Sequence, residues 1–88
     1  MARPFIVNSS VGTIQAYLGT STAVIVLVDE TGEARTEVGG RVERLSDLAE
    51  LLADVAGMPL VEAQRVAEEL RKLAQARRKR WRWLRESN

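Results

Sequence analysis

Apolar and polar positions follow different periods in the two halves of this chain. From Val11 to Leu18, Ile14, Ala16 and Leu18 alternate with Thr13, Gln15 and Tyr17, the period of two that sets one row of side chains on one face of a sheet. The same residues also fit a helix capped by Ser10, with Val11, Ile14 and Leu18 as its apolar stripe and Gly19 as its left-handed end. Before them, Phe5, Ile6 and Val7 form a short apolar run ended by the turn formers Asn8, Ser9 and Ser10, which predicts an edge strand. After them, Thr22 to Val28 is a continuous apolar run rich in β-branched residues, and Asp29 to Gly32 form a turn into Ala34 to Val38. This predicts a hairpin. Gly39 and Gly40 then mark the expected passage out of the sheet.

Beyond them the period becomes helical. Ser46 or Asp47 is the expected cap of a first helix, whose Leu48, Leu51, Leu52 and Val55 keep the i, i+3, i+4, i+7 spacing of one buried face. Gly57 ends it, and Pro59 suits the first turn of a second helix, where its missing N–H would have had no partner. Val66, Leu70 and Leu73 form the stripe of that second helix, and the same spacing continues to Arg77, Trp81 and Leu84. A helix over 59–85 would be on the order of 40 Å long, longer than so small a body is wide.

The expectation is an α+β domain over residues 1–76, β-rich over 4–38 and helical over 46–76. In it a small antiparallel sheet of three or four strands packs on a C-terminal helical pair whose second helix is long. Residues 77–88 form a basic, tryptophan-bearing extension that continues the last helix.

Composition sharpens this in three ways. At 88 residues the chain is one domain, and with no cysteine it has no disulfide framework and no thiolate metal site. Such a small domain gains stability by packing or self-association. The run Ala23 to Val28 is apolar on both faces of its strand, whereas two helices cover only one, so a homodimer is expected. The N-terminal apolar run is too short for a signal peptide, and no run approaches the roughly twenty residues of a membrane-spanning helix, which gives a soluble, cytoplasmic expectation.

Histidine is absent too, which removes the side chain best suited to proton transfer near neutral pH, and no serine has an evident base. The chain is therefore expected to be non-enzymatic, with no cofactor. Asp29, Glu30 and Glu33 lack the spacing of a calcium loop and read as a solvated turn. Gly39, Gly40 and Arg41 lack the rest of a phosphate-binding loop. Asp47 to Leu70 resembles a helix-turn-helix in its Ala53, Gly57, Met58 and Val66, but Glu62, Glu68 and Glu69 on the would-be reading helix would repel phosphates.

Charge is distributed unevenly. Residues 1–40 and 41–76 each carry a net −2, whereas 77–88 hold six bases against Glu86, a net +5. In this tail Arg77, Arg78, Lys79, Arg80, Arg82 and Arg85 are interleaved with Trp81 and Trp83. Arginine binds phosphate bidentately and tryptophan stacks on unpaired bases, so these eight residues are the candidate site for RNA or single-stranded DNA. The same pattern also serves an acidic protein partner, packing on a dimer partner, or an anionic membrane surface. A protein–protein interaction module such as an adaptor, inhibitor or assembly subunit is the alternative function.

Overall fold

The computed structural model describes residues 3–77. Four strands, β1 (Phe5–Ser9), β2 (Gly12–Leu18), β3 (Thr22–Val28) and β4 (Ala34–Arg41), are followed by helices α1 (Leu45–Ala56) and α2 (Leu60–Ala76). The strands form one antiparallel meander in the order β1-β2-β3-β4, with the helical pair on one face. The architecture is the α+β arrangement that the two periods predict.

Of the two readings of Val11 to Leu18, the strand is the one adopted. Its alternation puts Ile14, Ala16 and Leu18 on the helix-facing side, all buried, in register with Phe5 and Val7 of β1 and with Ala23, Ile25 and Leu27 of β3. These rows meet Leu48, Leu52 and Val55 of α1 and Ala63, Val66, Ala67, Leu70 and Ala74 of α2 in one aliphatic core. Burying a leucine side chain here is worth about 2 to 3 kcal/mol against leaving it exposed.

The structure differs from the sequence expectation at four places. Gly39 and Gly40 do not leave the sheet but lie within β4, which runs on to Arg41. At Gly40 the glycine serves close packing instead: a Cβ there would lie 3.1 Å from Leu51 Cδ2 of α1. Helix α1 is capped at Arg44, ahead of Ser46 and Asp47. Asp47 sits one turn in, and its carboxylate reaches back to accept the N–H groups of Glu43 (2.9 Å) and Arg44 (3.1 Å). That satisfies donors which a helix start leaves without intrahelical partners.

Gly57 ends α1 as expected, in the left-handed conformation with φ 60°, and Pro59 stands one residue earlier than expected, as the N-cap of α2. Leu73 is 38% exposed, and Ala74 takes the buried position beside it. The small residues Ala63, Ala67 and Ala74 let α2 lie close against its neighbours, which centres its buried arc on them and leaves Leu73 at the margin.

The other face of the sheet carries no helix. By register it displays Ile6, Gln15, Val26 and Glu37 in one row and Tyr17, Val24 and Gly39 in the next. Val26 is only 8% exposed, although it lies apart from the helix-side core, while Ile6 (59%) and Tyr17 (37%) are open. The apolar run of β3 is thus covered by helices on one side only.

Candidate nucleic-acid interface

Of the eight tail residues singled out by composition, Arg77 lies within the described residues; Arg78, Lys79, Arg80, Trp81, Arg82, Trp83 and Arg85 lie outside them, as does the expected continuation of the last helix through them. Arg77 is the C-cap of α2, and its N–H reaches the carbonyls of Leu73 and Ala74, each at 3.2 Å. Its guanidinium sits over the ring of Phe5, 4.0 Å from the centroid. The helical spacing that aligned Arg77 with the buried stripe therefore does place it against the sheet, where the negative face of a buried ring attracts the cation.

This contact fixes the position of Arg77, the first of the six bases, at the end of α2 beside β1, where the partial negative charge of a helix C-terminus favours a cation.

The body offers less to a polyanion. Over 3–76 it holds seven bases against eleven acids, a net −4. Among the described residues, ion pairs are confined to α2. There Glu62 takes the Arg65 Nε at 2.8 Å, Glu69 takes a terminal nitrogen of the same guanidinium at 3.0 Å, and Glu68 pairs with Arg71. Glu62 also accepts the Ser10 N–H at 3.0 Å, tying the β1–β2 turn to the start of α2. The Arg65 and Ser10 donors hold the Glu62 carboxyl down at about 2, and Arg71 lowers that of Glu68. These acids stay ionised on the outer face of α2, where a helix-turn-helix would need groups that read bases, and they repel phosphate.

A shallow cleft of about 550 Å³ lies between the ends of the two hairpins, lined by Ser9, Thr13, Asp29, Thr31 and Arg35 among others. Several of its polar groups, those of Ser9, Asp29 and Thr31, are engaged in their own turns. Asp29 Oδ1 accepts the N–H groups of Thr31 (2.9 Å) and Glu33 (3.0 Å) and the Thr31 hydroxyl (2.7 Å), which lower its pKa. The Ser9 hydroxyl donates to the Gly12 carbonyl at 2.7 Å. The acidic cluster at Asp29, Glu30 and Glu33 is thus built around a turn, with Asp29 as the acceptor that shapes it.

Three features had no reading from sequence alone: the Arg77–Phe5 stack, the Glu62–Ser10 tie and the open outer edge of β4. The first had a signal in the spacing of Arg77 along the stripe. The second joins residues 52 apart in the chain, and no local pattern announces it. No protein-family model, curated protein or solved structure matches the chain.

Proposed function

We propose that this chain is a small non-enzymatic nucleic-acid-binding protein that engages single-stranded RNA or DNA through its basic C-terminal segment and acts as a homodimer. The observation that carries the reading is the concentration of six cations and two tryptophans in 77–85, against a body of net −4 whose α2 arginines are taken up by glutamates. Cations at Arg77, Arg78, Lys79, Arg80, Arg82 and Arg85 bind phosphates, and Trp81 and Trp83 stack on bases. Self-association is supported by the helix-free sheet face, where Val24, Val26 and Val28 of β3 lie beside Tyr17 and Gln15 of β2, and Tyr17 and Ile6 are exposed with no helix above them.

Truncation after Ala76 tests the binding reading. The full chain should bind a single-stranded oligonucleotide with a logarithmic salt slope of about −4, from about −0.7 per neutralised phosphate, and the truncated chain should not. Equal affinity of the two would remove the reading.

The exposed Ile6 and Tyr17 on that face favour a second reading, an interaction module that docks on another protein. One stoichiometric partner retained at high salt after nuclease treatment would support it over nucleic acid.

A further inference from the structure

Each edge of the four-stranded sheet ends in a strand with one neighbour, and the two edges are unlike. β1 is short and flanked by α2: the Asn8 carbonyl accepts from the Arg65 guanidinium at 3.5 Å, and the adjoining Ser10 N–H is held by Glu62. β4 is eight residues long, with neither proline nor lysine, and Ala34 to Glu37, Gly39 and Arg41 are exposed. Long, proline-free edges are the ones that recruit further strands, and the charges on β4, Arg35, Glu37 and Arg41, are of both signs and so can pair across such a junction.

The direction of its free backbone groups follows from one bond. Val42 donates its N–H to the Ser21 carbonyl at 2.9 Å, so the neighbouring pair Thr22 and Arg41 is of the wide type, with backbone groups turned away from each other. Alternation then turns the N–H and C=O of Glu37, Gly39 and Arg41 outward from the sheet, and puts their side-chain positions on its helix-free face.

We propose that β4 pairs with β4 of a second copy, antiparallel about a twofold axis at Gly39, to form one eight-stranded sheet. This rests on the self-association proposed above but places the interface at the edge of the sheet, so that the helix-free faces of the two copies join into one continuous face. Charge selects the register. With Gly39 opposite the partner copy's own glycine, Glu37 of each copy stands opposite Arg41 of the other, about 5 Å apart at Cβ, and the three narrow pairs give about six hydrogen bonds. Moving the axis one residue toward the start of β4 sets Arg35 opposite Arg41, and moving it two sets Glu37 opposite its own counterpart; moving it two the other way sets Arg41 opposite Arg41. The alternative with Arg35 opposite Glu37 runs into the irregularity at Leu27 and Val28, where Arg35 has no partner in β3. The twofold axis is perpendicular to the sheet, so both helical layers, each ending at Arg77, lie on one side.

The test is light scattering with size exclusion on the full chain and four samples derived from it. Glu37→Arg and Arg41→Glu should each weaken the dimer by about tenfold, because both cross-strand pairs become like-charged. An equimolar mixture of these two variants should restore a dimer, now of one copy of each, because every pair is again opposite in sign. Gly39→Pro should be monomeric with an unchanged circular dichroism spectrum, since the N–H it removes points away from β3. A wild-type chain that stays monomeric at hundreds of micromolar would remove both this interface and the self-association reading. A wild-type dimer unaffected by Gly39→Pro and by the charge variants would keep self-association and overturn the β4 interface.

Discussion

The guanidinium of Arg77 lies 4.0 Å above the ring centroid of Phe5, joining the last residue of the helical layer to the first residue of the sheet. Phe5 is almost fully buried, so its ring offers one face to the cation while the other belongs to the core. Replacing Arg77 by alanine removes the cation and its stem, and should lower stability by about 0.5 to 1 kcal/mol, the range for exposed cation–π pairs. Phe5→Leu keeps most of the apolar volume and loses the quadrupole. In urea unfolding, Arg77→Ala should cost nothing further in the Phe5→Leu background; equal costs in both backgrounds would show that the stack adds no stability.

The approach of α1 to β4 makes a second prediction. Gly40 lies tight against α1, because a Cβ would stand 3.1 Å from Leu51 Cδ2 and that side chain would have to move aside. Gly40→Val adds two further carbons toward α1, and overpacking of this kind costs about 1 to 3 kcal/mol despite the better strand propensity of valine. A variant as stable as the parent in thermal unfolding would show that α1 shifts to accommodate it.

The acid side of the stability profile should be set in part by Glu62. Its carboxyl lies at about 2 in the folded protein, held down by Arg65 and the Ser10 N–H, against 4.5 for an ordinary glutamate. A folded-state pKa below the unfolded value means that the contribution is present above about pH 4.5 and is lost as pH falls toward 2. Glu62→Gln should therefore melt below the parent at pH 7 and approach it at pH 2 to 3. A difference that stayed constant over this span would mean that the Glu62 charge makes no contribution.

How far the fold could be read in advance depended on whether a signal was local. The strands, the two helices and the left-handed Gly57 each announce themselves within a few residues, by period or by backbone permission. Gly39 and Gly40 misled because glycine has two uses: freedom of the backbone, and absence of a side chain where another element comes close. At Gly40 only the position of Leu51, set by the packing of a helix that begins later in the chain, decides between them. Leu73 and Ala74 divide for a similar reason. Hydropathy ranks the leucine as the buried one, but the width of the gap between α2 and its neighbours admits the alanine. The candidate site was legible as composition, and the structure adds its point of attachment at Arg77.

Trp81 and Trp83 are the chain's two tryptophans, so its tryptophan fluorescence reports on the basic segment alone. If they stack on bases, titration with a single-stranded oligonucleotide should quench that emission. Stacking and charge should then separate by salt dependence. Trp81→Ala and Trp83→Ala should each weaken binding by about 1 to 3 kcal/mol and leave the salt slope unchanged, because a ring displaces no counterion from phosphate. Arg80→Gln or Arg82→Gln should lower the magnitude of the slope by about 0.7 for each cation removed. Quenching by a duplex as strong as by a single strand would argue against stacking, since paired bases offer no free face. Tryptophan variants that changed the slope while the arginine variants did not would reverse the assigned roles and remove the proposed division between stacking rings and phosphate-binding cations.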